Sequence, residues 1–247
     1  MAKKKSVMTA KKGMSANARV TIAVLVVAVL VIGAVLLVNR SGSDTPSQRA
    51  GEVTADVLWR PDSNSLTTSP DNAVTVVEFL DYQCSACVSF YHNITKSLEQ
   101  DYAGKITFVI RNFPLEMHPL AEPAAKAAEA ASLQGKYQPM FSKLYGDFPA
   151  WALMADGRNV SDDTVRAQAK FESYAAEIGL DLAKFRSDMA SPAVRQRIDQ
   201  DKADGEKAGV TGTPAIFVNG SLFQPVARTY ADASQQLRDE IDGALAA

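Results

Sequence analysis

Val74-Thr75-Val76-Val77-Glu78-Phe79-Leu80-Asp81-Tyr82-Gln83-Cys84-Ser85-Ala86-Cys87 contains both cysteines of this 247-residue chain. Its apolar first half reads as a strand that hands over to a helix at the cysteines. If Cys84 opens that helix, Cys87 lies three residues on along the same face, close enough for a disulfide to open and close with little backbone movement. Free N–H groups and the helix dipole stabilise a thiolate at the first cysteine, lowering its pKa from about 8.5 into a range of roughly 3.5 to 7.5. Cys84 is the expected attacking sulfur, and Cys87, one turn deeper, the resolving one. A loop this short constrains the unfolded chain very little, which argues against a purely structural bridge. There is no second cysteine pair, and His92 and His118 lack the paired spacing of a zinc finger, so no metal is expected.

Val20 to Val38 is uncharged and apolar, and at about 1.5 Å per residue it nearly spans a hydrocarbon core of about 30 Å. It reads as a transmembrane signal anchor; the alternative, a cleavable signal peptide, usually has a shorter apolar region and a small-x-small cleavage site. Residues 1–40 carry seven of the 26 Lys and Arg and none of the 28 Asp and Glu, so the positive-inside rule keeps the N-terminus cytoplasmic. The cysteines then work outside, where a disulfide persists. The remaining 19 basic and 28 acidic residues give that part a net charge of −9, with no basic stripe of the kind nucleic acid requires.

From Asn39 to about Asp56 the chain reads as a polar tether, and Arg60 to Asp71 as a second irregular stretch, with Val57-Leu58-Trp59 a short edge segment between them. Val88, Phe90, Tyr91, Ile94 and Leu98 recur at helical spacing up to Gly104, and Lys105 to Arg111 follows as a strand. Alanine-rich Leu120 to Leu133 is a helix, Gly146 to Arg158, broken by Pro149 and Gly157, a loop or short turn, and helices resume at 163–176 after Ser161 as cap, 181–189 and 192–208. Ala215 to Phe223 around Asn219-Gly220 is a hairpin signal, and 229–245 a closing helix.

A strand into Cys84-x-x-Cys87, a further strand, a helical insertion, Gly212-Thr213-Pro214, a hairpin and a last helix together resemble the DsbA-like branch of the thioredoxin superfamily. Glu78-Phe79-x-Asp81, Phe113-Pro114-Leu115 followed by His118-Pro119, and Val218-Asn219-Gly220 resemble its membrane-anchored Gram-positive, actinobacterial-type members. The resemblance implies an α/β thioredoxin fold with an inserted helical domain, preceded by one transmembrane helix. Its parts would be a cytoplasmic basic segment at 1–19, the anchor at 20–38, a linker at 39–65, thioredoxin-fold portions at 66–114 and 209–247, and the insertion at 115–208.

The family assigns further roles. Pro214 would be cis and lie beside the disulfide, leaving the Thr213 backbone as a short edge on which an unfolded substrate adds a strand. Glu78 would be a buried acid moving protons to and from Cys87. Read from the sequence alone, Asp81 caps the helix or the loop before it, and His92 and His118 take structural or surface roles, with a place near the site as the alternative for His118. No cofactor is implied beyond the Cys84–Cys87 disulfide. The partners would be exported cysteine-containing proteins and a membrane redox protein that resets the pair. Strongly oxidising relatives often carry a histidine between the cysteines, where this chain has Ser85 and Ala86, so reduction or isomerisation stands beside oxidation. A non-enzymatic binding module that keeps the scaffold is the alternative of another class.

Overall fold

A computed structural model describes residues 53–247. Five strands form one sheet in the order β1-β3-β2-β4-β5: β1 Asn64–Thr67, β2 Thr75–Leu80, β3 Thr107–Asn112, β4 Ala215–Val218 and β5 Ser221–Leu222. β2 and β3 run parallel, and β1, β4 and β5 are each antiparallel to their inner neighbour. Alternation along β2 sends Val76, Glu78 and Leu80 to one face and Val77 and Phe79 to the other. The first face shares its core with Phe108, Ile110, Ile216, Val218 and the helices above them, whereas Val77 and Phe79 pack with Leu58, Val109, Phe113, Val210 and Phe217.

The helix after the cysteines is continuous but not uniform. α2 (Ser85–Phe90) passes into a π-helical segment, Tyr91–Thr95, and then into α3 (Lys96–Asp101), and the closing helix α10 (Tyr230–Leu245) packs on the π segment. The insertion holds α4 (Ala121–Ser132), α5 (Tyr137–Gly146), α6 (Phe148–Ala152), α7 (Thr164–Glu177) and α8 (Leu182–Met189), with α4 as the hub on which α5, α7 and α8 pack. The small side chains of Ala124, Ala127, Ala128 and Ala131, all fully buried, permit that close approach. The long helix α9 (Pro192–Lys207) covers β3 on the second sheet face. There a Cβ on Gly205 would meet the Phe113 ring at 2.6 Å and the Phe79 ring at 3.0 Å, so only glycine allows this helix to lie so close. The β4–β5 turn has Asn219 at φ 46° and Gly220 at φ 89°, as its type I′ geometry requires. The Val53 N–H donates to Gly220 O at 2.9 Å, holding the start of the described chain to the end of the sheet remote from the cysteines.

Several expectations are corrected. Val57-Leu58-Trp59 is no edge strand: α1 (Ala55–Leu58) lies there, its Leu58 buried in the second core. The Arg60–Asp71 stretch contains β1, so the linker expected at 39–65 gives way to folded structure by Ala55. β1 is polar and has no apolar alternation; it is ordered by tertiary bonds, with Asn64 Nδ2 donating to Glu129 Oε1 at 2.8 Å and Thr67 Oγ1 to Ile106 O at 2.6 Å. The loop or short turn expected at 146–158 contains the five-residue helix α6, in which Pro149 sits in the first turn, a position that suits proline. Asp163, not Ser161, caps α7, accepting from Arg166 N at 2.9 Å. α9, the last helix of the expected insertion, packs on α4 and on β3 alike. The basic segment at 1–19, the anchor at 20–38 and most of the tether lie outside the described residues; among the described residues no helix is long and apolar enough to cross a membrane.

Candidate active site

Cys84 is the N-cap of α2, with extended backbone (φ −74°, ψ 125°), and its carbonyl accepts from Val88 N at 3.1 Å. Cys87 lies on the first turn. Both are free thiols; Cys84 keeps 7% of its surface open and Cys87 none. The Thr213–Pro214 peptide bond is cis, and the Thr213 carbonyl oxygen lies 3.5 Å from Cys84 Sγ, which donates to it as a thiol. Thr213 precedes β4, outside the sheet ladder, so its backbone faces the attacking sulfur directly. Its Oγ1 is buried without a formed hydrogen bond, yet stands near enough to both sulfurs to favour their charged forms.

The two sulfurs are driven apart in acidity. Donation by the Cys87 thiol is the main effect on Cys84; with Thr213 and the backbone N–H groups of Cys87 and Ala86 it overcomes desolvation and brings Cys84 down to about 5. Burial, and then the neighbouring Cys84, push Cys87 well above the ordinary thiol value. At neutral pH one sulfur is a thiolate and the other keeps its proton, the division that a nucleophile and a resolving thiol require.

Glu78 is 1% exposed, flanked across the sheet by Ile110 and Ile216, and accepts from Thr95 Oγ1 at 3.1 Å. Burial dominates its titration and raises it to about 8, with the Thr95 hydrogen bond acting in the opposite direction. An unfolded Glu78 loses its proton near 4.5. Between that value and about 8 the folded chain therefore holds the extra proton, and stability falls as pH rises through this window. Glu78→Gln is expected to remove that slope and to raise stability by roughly 4–5 kcal/mol at the upper end, read from denaturant midpoints across the pH range.

The loop before Cys84 is held by groups that pattern reading did not bring together. Asp81, 1% exposed, accepts from Gln83 N at 2.7 Å and Leu115 N at 2.9 Å, and its Oδ2 lies 2.7 Å from His118 Nδ1. Asp81 thus caps the loop and not the helix. The carboxylate, its chief partner, and then the Cys84 charge raise the His118 pKa against desolvation, so this histidine belongs to the site and not to the open surface. Gln83 Nε2 donates to Ala152 O at 2.9 Å and Ser161 O at 2.7 Å, and its Oε1 accepts from Leu120 N at 2.7 Å. Tyr145 Oη donates to Asp81 O at 3.3 Å. The insertion therefore fixes the backbone that presents Cys84. The sequence signals for this were Asp81 before the cysteines and His118 following Phe113-Pro114-Leu115; nothing marked Gln83. Among the described residues no group of three or more His, Cys, Asp or Glu could hold a metal ion.

A family model described as thioredoxin (Thioredoxin_4) matches residues 67–239. A solved thioredoxin-like oxidoreductase from Silicibacter pomeroyi is 30% identical with a TM-score of 0.60, covering 79% of this chain and 99% of that one. The thiol-disulfide exchange protein α-DsbA2 from Wolbachia pipientis shares the fold at 22% identity and a TM-score of 0.60, over 76% of this chain and 90% of its own. A Na⁺/H⁺ antiporter NhaA from Herminiimonas arsenicoxydans is 29% identical over 180 residues, which cover 70% of this chain and 26% of the antiporter. The chain spans about a quarter of the length of the curated relatives it matches. With Cys84, Cys87 and the cis Thr213–Pro214 loop assembled on this sheet, the chain belongs to the thioredoxin family and shares the fold of the DsbA-like proteins.

Proposed function

We propose that the protein acts outside the cytoplasm, tethered through residues 20–38 in the manner of the Gram-positive membrane-anchored branch, and oxidises exported proteins that carry free cysteines. The acidity of Cys84 carries this reading. A stabilised thiolate favours the reduced enzyme and so makes its disulfide a stronger oxidant, which supports oxidation although no histidine stands between the cysteines. A substrate thiolate attacks Cys84 Sγ, the Cys84–Cys87 bond breaks, and Cys87 leaves with the electron pair and takes a proton from Glu78. A second substrate thiolate then attacks the substrate sulfur, releasing the Cys84 thiolate and an oxidised substrate. A membrane redox partner that supplies a disulfide returns the pair to its starting state. Thr213 and Pro214 hold the incoming chain beside Cys84. The antiporter relatives match over a minor part of their length, and ion transport is not carried over from them.

Trapping tests the reading. In Cys87→Ser the resolving thiol is gone, and mixed disulfides are expected to accumulate on Cys84 in cells, with exported cysteine-containing proteins attached. If nothing is captured, or if only cytoplasmic proteins are, the proposal is wrong. The reduction potential separates directions: near the strongly oxidising end, about −120 mV, the enzyme is an oxidase, and near about −270 mV a reductase.

A further inference from the structure

We propose that Thr95 is a positioning residue of the redox centre: carried over the sheet by the π-helical segment, its hydroxyl orients the Glu78 carboxyl toward Cys87 and holds it ready to exchange that thiol's proton. This rests on the reading of Glu78 as the proton carrier of Cys87.

The geometry begins with the helix. Thr95 is eight residues beyond Cys87, and at 3.6 residues per turn an unbroken α-helix would leave it about 80° around the axis from that cysteine. The π segment Tyr91–Thr95, in which Lys96 N–H reaches back to Tyr91 O, takes up one extra residue. That turns the following residue back by about 100°, so Thr95 falls about 20° from Cys87, on the side of the helix that meets the sheet. Both residues are fully buried there. A threonine in a helix ordinarily returns its hydroxyl to a carbonyl one turn back. Thr95 Oγ1 instead donates to Glu78 Oε2 at 3.1 Å, the hydrogen bond that joins the helix of the cysteines to the acid on the strand beneath.

The surroundings explain why one hydroxyl matters. β3 and β4 place Ile110 and Ile216 on either side of Glu78, and α10 packs on the π segment from above. The titratable groups that feel the Glu78 charge are the buried phenols of Tyr82 and Tyr145, and Tyr145 feels the Cys87 charge as well. All are neutral near pH 7, and none supplies a positive charge. Thr95 is thus the group that favours the ionised carboxyl against its desolvation. A π segment inside an α-helix commonly marks a functional site, and here it has a defined task.

The full chain in its reduced form supplies the test. The carboxyl C=O stretch is followed by infrared difference spectroscopy as pH is raised through about 8, with Glu78→Gln identifying the band. Alongside it, the pH profile of oxidation by oxidised glutathione is recorded. Thr95→Val is expected to move the carboxyl midpoint and the rate profile upward together by about one pH unit, a tenfold change in proton affinity. Thr95→Ser is expected to restore both, which loss of packing alone would not predict. Thr95→Ala carries the same expectation should the valine variant not fold. If the band and profile of Thr95→Val stay at their wild-type positions while Glu78→Gln alters the profile, the assignment of Thr95 is overturned and Glu78 keeps its role. If Glu78→Gln leaves the profile unchanged, the reading of Glu78 fails and Thr95 falls with it.

Discussion

Cys84→Ser is expected to bring thiol–disulfide exchange down to the rate without enzyme, a loss of at least about a thousandfold, because nucleophilic chemistry has no substitute for the attacking atom. The wild-type chain should show the reason directly. With Cys84 near 5, thiolate exceeds thiol about a hundredfold at pH 7, so alkylation of one sulfur per molecule should already be complete in mild acid and its rate should halve near that value. Cys87 should stay unmodified in the folded protein, being fully buried and held protonated. Cys87→Ala removes the chief donor to the Cys84 sulfur, so the alkylation midpoint of that variant should move upward. Two equally reactive thiols, or two inert ones, would end this account of the site. The sign also fixes the pH dependence of the reduced state: an acid whose folded value lies below its unfolded one stabilises the fold above the unfolded value, and that contribution fades as pH falls toward about 5.

Arg111→Met should destabilise the chain by about 3–5 kcal/mol, measured as a denaturant midpoint, since it leaves buried acids without their partner. Arg111 is fully buried on β3, and its guanidinium bonds Asp201 Oδ1 at 2.6 Å and Asp204 Oδ2 at 2.7 Å on α9. It also bonds the carbonyls of Val57 and Leu58 at 3.1 and 2.7 Å on α1. Arg60 reaches the same Asp204 at 2.7 Å from the surface side. Burial pushes the Asp204 carboxyl up, but Arg60 and Arg111 together hold it well below the usual carboxylate range. A depressed acid stabilises above its unfolded value, so this cluster weakens as pH falls below the ordinary carboxylate range. Arg111→Met should flatten that acid dependence as well as lower the midpoint. An equally stable variant would mean that the pairs only match their own desolvation.

The redox loop, the parallel β2–β3 pair, the hairpin and the longer insertion helices could be read from the sequence, because each has a local signal: paired cysteines after an apolar run, Asn219-Gly220 between apolar segments, and apolar spacing near 3.6. β1 and α1 could not. Their residues are polar or few, and what orders them is contact with Ile106, Glu129 and Arg111, all distant in sequence. Arg111 closes the apolar pattern of its strand; a buried arginine is recognised only once its acids arrive from another helix. Pro149 was read as a breaker because proline stops a helix from within but suits its first turn. At the site, Cys84, Cys87, Glu78, Thr213 and Pro214 carried recognisable patterns. Gln83, Asp81 and His118 act through bonds across the loop, and the π segment through a one-residue change in helical phase that apolar spacing does not resolve.

The three hydrogen bonds of the Gln83 carboxamide bear on how far this protein could be miniaturised. A version cut back to the sheet and its immediate helices would expose that amide's partners, Leu120 N–H and the carbonyls of Ala152 and Ser161, or delete them outright. The segment that aims the nucleophile would lose its fixed bearing even with every reacting atom retained. The helical block is the mount on which the reaction is aligned.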